Sequence, residues 1–165
     1  MLYDFLRRLT VMLVLCLAQA LVLNRIQLFH CATPLLYAYF AIIFPRNYPK
    51  WAILLWCFSM GVIVDAFSNT PGVASASMTL IGALQPYLLE LFLPRDVDDH
   101  VKASSHAMGV GNFMSLASIL MVIYCVVFFT INLFSFFNWI YWIECVVGSA
   151  LLTLALIFTI ENLRK

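Results

Sequence analysis

The chain has 165 residues, of which 64% are hydrophobic and 10% charged, with a formal net charge of +1 and a mean hydropathy of +0.99. Soluble domains carry about 45–50% apolar and about 25% charged residues, and a domain this small cannot hide such a surplus from water. The composition therefore points to lipid as solvent, and the lack of any basic run removes nucleic acid as a partner.

A spanning helix needs about 20 mostly apolar residues, and the sequence predicts six of them. The first covers 9–28 and is entered through Arg7 and Arg8. Asn24, Arg25, Ile26 and Gln27 stand where a signal peptide would carry a small-residue cleavage site, so this helix is expected to be retained. The second, 33–44, opens on Thr33-Pro34, a hydroxyl able to cap free N–H groups followed by a proline at the first helical position, and stops at Pro45. The third, 51–67, leads into the turn Ser68-Asn69-Thr70-Pro71-Gly72. The fourth, 73–93, carries Pro86, expected to kink it without breaking it, and ends at Pro94. A polar stretch, 94–107, is the longest expected loop. The fifth and sixth cover 108–133 and 139–160, and the aromatic cluster over 134–142 suits the headgroup boundary.

With the N-terminus in the cytoplasm, Arg7, Arg8, Arg46, Lys50, Arg95, Lys102, Arg164 and Lys165 fall inside and only Arg25 outside. Eight against one is the bias that the positive-inside rule requires. The expected architecture is an all-α integral membrane protein: a compact bundle of about six transmembrane helices, both termini cytoplasmic. Short loops leave no room for a soluble catalytic or nucleotide-binding domain.

Acids inside apolar spans are costly and mark candidate sites. Asp65 and Glu144 are expected near the outer face, Glu90 near the inner one, too far from Asp65 to form a catalytic carboxylate pair. Arg25 shares the outer depth and is a candidate partner for Asp65 and Glu144, the alternative being that each acid reaches headgroup water alone. Cys16, Cys31, Cys57, Cys125 and Cys145 are scattered singly, without a CxxC pair, and read as small packing residues. His30, His100 and His106 fall in loops or at a helix end, and Asp96, Asp98 and Asp99 match no calcium loop. Gly109, Gly111, Ser115 and Ser118 read as a small-residue face for close helix approach, as do Gly72, Ala74, Ser75, Ala76, Ser77 and Thr79. No catalytic, cofactor-binding or metal-ligating constellation is recognisable.

One unit stands apart. Gly61 and Asp65 are one helical turn apart, and Asp65 is placed to accept hydrogen bonds from the turn that follows, pinning a hairpin between the third and fourth spans. The stretch from Phe58 to Gly72, with Gly61, Asp65, Asn69, Pro71 and Gly72, resembles the signature of the MreD family of rod shape-determining proteins, in the form found in the Bacteroides group. Asn24-Arg25-Ile26 closing the first span and Ala32 to Tyr37 opening the second resemble it too. The likeness extends over the chain in length and span order, and its specific part is about fifteen residues. One position departs: Gln85-Pro86-Tyr87 stands where an arginine is expected before the Pro-Tyr pair.

The resemblance implies a non-enzymatic scaffold without cofactor or metal, in the bacterial inner membrane. Its implied partners are an MreC-like protein, an MreB-like actin homologue, RodA and a class B penicillin-binding protein, and its process is sidewall peptidoglycan synthesis. The competing expectation is a substrate-binding membrane component of an energy-coupling factor transporter, which would gather Asp65, Asn69, Arg25 and Glu144 around a small molecule.

Overall fold

In an apolar solvent a backbone must satisfy its own hydrogen bonds, and this chain does so with helices. The computed structural model describes residues 2–21, 33–45, 48–92, 109–133 and 139–163. Among them lie six α-helices and no strand: α1 (Leu2–Leu21), α2 (Tyr39–Ile42), α3 (Lys50–Ser68), α4 (Val73–Phe92), α5 (Val110–Leu133) and α6 (Trp139–Leu163), with a 3-10 turn over Leu36–Ala38. Three of these helices, α3, α5 and α6, are long and apolar enough to cross a membrane. Arg25, Cys31, His30, His100, His106, Asp96, Asp98, Asp99 and all of the expected 94–107 loop lie outside the described residues.

The expected second span is not a continuous helix. Residues 33–35 are irregular, the 3-10 turn follows, and α2 is a single turn of four residues that ends before Pro45. Leu35 to Ile42 are all buried, from 0 to 9% exposed. Thr33 lines a cavity together with Thr70 at the α3–α4 turn, whereas Phe44 lies 5.2 Å from the Arg8 guanidinium. The segment thus runs through the core from one end of the bundle to the other. Irregular backbone is tolerated at such depth only where protein surrounds it.

Polar side chains on three other helices supply backbone partners that a helix would have supplied internally. The Leu35 N–H donates to Thr153 Oγ1 at 3.0 Å and the Thr33 N–H to Ser149 Oγ at 3.1 Å, both acceptors on α6. Gln19 on α1 donates to the Pro34 carbonyl at 3.0 Å, and Gln85 on α4 donates to the Phe44 carbonyl at 3.1 Å. The hydroxyls of Tyr37 and Tyr124, on the 3-10 turn and α5, are hydrogen-bonded to each other with their rings edge to face. Tyr39 donates to Glu161 Oε2 at 2.8 Å. The expected cap at Thr33-Pro34 is not formed, because these N–H groups find their acceptors across the bundle instead.

α3 and α4 form a tight antiparallel hairpin. α4 runs without interruption through Pro86. Four of the cysteines, Cys16, Cys57, Cys125 and Cys145, are free and buried, and Cys16 Sγ lies 3.2 Å from Met60 Sδ, linking α1 to α3. Gly109 and Gly111 do not bring a helix close: a Cβ at either would meet nothing within 4 Å. Gly109 lies just before α5 and Gly111 in its first turn, and both are exposed.

Candidate functional site

The residues singled out from sequence converge on the α3–α4 turn. α3 ends at Ser68, and Asn69 adopts a left-handed conformation (φ 56) while its N–H returns to the Asp65 carbonyl. This left-handed exit is a common way to stop a helix, and asparagine tolerates it better than most residues. Gly72 has φ +87, where any side chain would be strained.

The start of α4 needs a cap that Gly72 cannot give, since its first N–H groups have no intrahelical acceptor and glycine offers no side-chain oxygen. Asp65 supplies it from the preceding helix. Its Oδ1 accepts from the Ala74 N–H at 2.8 Å and the Thr70 hydroxyl at 3.1 Å. Its Oδ2 accepts from the Ser75 N–H at 2.9 Å and the Gly72 N–H at 3.1 Å. The carboxylate is 6% exposed, and its charge lies against the positive end of the α4 dipole.

Gly61 completes the unit. One turn before Asp65, it meets the backbone of α4 directly: a Cβ there would overlap Ser75 Cα and lie 2.7 Å from Ser75 N and 2.9 Å from the Ala74 carbonyl. Farther along the hairpin a Cβ at Gly82 would come within 2.9 Å of Cys57 Sγ. The small residues at the start of α4 therefore serve close approach to α3 and bring the α4 N–H groups within reach of Asp65.

Comparison with protein-family models, with curated proteins and with solved structures finds no match for the chain.

Pro71, within the turn, is exposed, as is Glu144 on α6. Glu90 is exposed near the far end of α4, about 25 Å from the turn at 1.5 Å per residue, so it makes no pair with Asp65. Arg25 is outside the described residues, and the Asp65 oxygens are already engaged by the hairpin itself.

Beside the turn is a cavity of about 390 Å3, lined by Gln19, Thr33, Tyr37, Ser68, Thr70, Asn132 and Tyr141 with apolar neighbours from α3, α5 and α6. Asp65, Asn69 and Glu144 do not line it. Its polar lining was not foreseen, because Gln19, Thr33, Asn132 and Tyr141 come from segments far apart in sequence. Glu161 was missed for a different reason. It falls just past the expected end of the last span, yet it is 6% exposed and accepts a hydrogen bond from Tyr39. Among the described residues no cluster of His, Cys, Asp and Glu is arranged to hold a metal.

Proposed function

We propose that the chain is a non-enzymatic multi-pass membrane protein acting as an MreD-like scaffold of the bacterial cell-elongation complex. In this reading it lies in the inner membrane with both termini cytoplasmic. The observation that carries it is the engagement of Asp65. The acid at the centre of the resemblance holds four donors of its own hairpin, which suits a structural fastener rather than a proton donor or metal ligand. Gly61 and Gly72 serve the same hairpin. Outward-facing helix surface is then what remains for function. Trp51, Leu55, Phe58 and Val62 recur at helical spacing on α3 and are 45 to 71% exposed, a strip suited to lipid or to the apolar span of a partner.

The partners under this reading are an MreC-like protein with RodA, a class B penicillin-binding protein and an MreB-like filament. Tagged protein purified from its host in mild detergent, with co-purifying proteins identified by mass spectrometry, tests it. Recovery of an MreC-like protein with RodA or the penicillin-binding protein is expected. Recovery of paired ATPases and a coupling membrane protein instead would overturn it.

The cavity beside the turn favours a second reading, a substrate-binding component of an energy-coupling factor transporter. Its volume of about 390 Å3 falls within the range of small-molecule sites, about 300–1,000 Å3, and several uncharged polar groups converge there. A panel of vitamins screened by thermal shift separates the two readings. Saturable stabilisation by one compound, lost on Thr70→Val or Asn132→Leu, would favour transport.

A further inference from the structure

At the opposite end of the bundle α1, α2 and α6 enclose a groove of about 400 Å3. Its walls are mostly apolar, formed by Val11, Val14 and Leu15 of α1, Phe40 of α2 and Ile160 of α6, with Thr10 and Tyr39 as their polar members, and its mouth carries Arg7 and Arg8. From Arg7 to Leu15 the groove follows α1 for about 12 Å. Basic groups at one end of a narrow apolar slot match an amphiphile with an anionic head and a hydrocarbon tail.

The two arginines are set differently. The Arg8 guanidinium is clamped over two rings, 4.0 Å from the centroid of Tyr48 and 5.2 Å from that of Phe44, a cation–π arrangement that holds it at the mouth without neutralising it. Arg7 is exposed. Among the described side chains no carboxylate pairs with either. Glu161, next to Ile160, does not line the groove and accepts a hydrogen bond from Tyr39 inside the core. Among the described side chains, the mouth therefore presents positive charge above an apolar slot.

We infer that this groove holds one anionic phospholipid, its acyl chain between α1 and α6 and its phosphate against Arg7 and Arg8. The inference rests on the chain lying in a bilayer and is independent of which proteins it contacts. A basic residue near an anionic headgroup contributes roughly a fivefold preference, so both arginines together give about a twenty-five-fold preference over a zwitterionic lipid.

The test uses full-length protein purified in mild detergent, delipidated, and supplied with phosphatidylglycerol or phosphatidylcholine. Native mass spectrometry reads the lipid retained per chain. One phosphatidylglycerol per chain is expected, with phosphatidylcholine retained far less. The double variant R7Q/R8Q should lose the preference. Val14→Trp, which fills the slot and leaves both arginines in place, should lose the bound lipid. Unfolding temperatures measured without lipid establish that each variant is folded. Retention independent of headgroup, a broad distribution of lipids unaffected by the variants, or disulfide cross-linking between two copies of a Val14→Cys variant in place of lipid would each overturn the inference. None of these outcomes bears on recovery of elongation proteins, so the two proposals fail separately.

Discussion

The α-carbon of Gly61 lies so close to Ser75 that a methyl group in place of its hydrogen would overlap the Ser75 Cα. This contact sets the distance between α3 and α4 where Asp65 must reach across. Gly61→Ala forces the helices apart by its own volume and lengthens the Asp65 hydrogen bonds at the same time. Overpacking of this kind costs about 1–3 kcal/mol, read as a lower unfolding temperature in detergent. Ser75→Gly should not rescue it, because backbone rather than side chain is in the way. Rescue would show that the contact is softer than described.

Asp65 differs from an ordinary helix cap in belonging to the other helix. Asp65→Ala leaves the buried Ala74 and Ser75 N–H groups without their acceptor, at about 1–3 kcal/mol for each group. Asp65→Asn keeps one acceptor oxygen and loses the charge opposite the helix dipole. Stability should fall in the order wild type, Asn, Ala. Equal stability of all three would remove the capping account.

At the turn itself, Gly72→Ala places a side chain at φ +87 and should cost about 1–2 kcal/mol. Asn69→Gly should be tolerated and Asn69→Val should not, since only the latter is β-branched in the left-handed region. Unfolding curves for the three variants rank them directly.

The irregular core segment gives a fourth expectation. Thr153→Val keeps shape but removes the acceptor for the Leu35 N–H, a loss of about 1–3 kcal/mol. Thr153→Ser should retain most of that stability. Gln85→Leu should cost a similar amount by stranding the Phe44 carbonyl. Amide hydrogen exchange at Leu35 should rise in Thr153→Val and remain slow in Thr153→Ser. Unchanged exchange would mean that another group protects this segment.

Helical content, the turn at 68–72 and the reach of Asp65 toward that turn were legible in sequence because each is local. Apolar composition forces backbone pairing within the segment, proline and glycine punctuate it, and a Gly-x-x-x-Asp spacing places both residues on one helix face. The identity of the α4 N–H groups as the Asp65 donors was only partly legible, since it depends on how closely the hairpin shuts. The stretch 33–44 was misread as a plain helix. Its apolar residues carry the composition of a span, and nothing within it announces that Ser149, Thr153, Gln19 and Gln85 will take over its hydrogen bonds. Those partners are distant in sequence, and each looks like an isolated polar residue in an apolar run.

The sequence by itself determined that this chain is helical, that lipid suits it as solvent, and where α3 turns into α4. Only the tertiary structure decided that the segment 33–44 is irregular, that Tyr39 donates to a buried Glu161, and that Arg7 and Arg8 stand over an apolar groove. Local features follow from the covalent chain and its immediate neighbours. The others require that a donor and an acceptor from separate helices arrive at the same depth, and packing alone sets that.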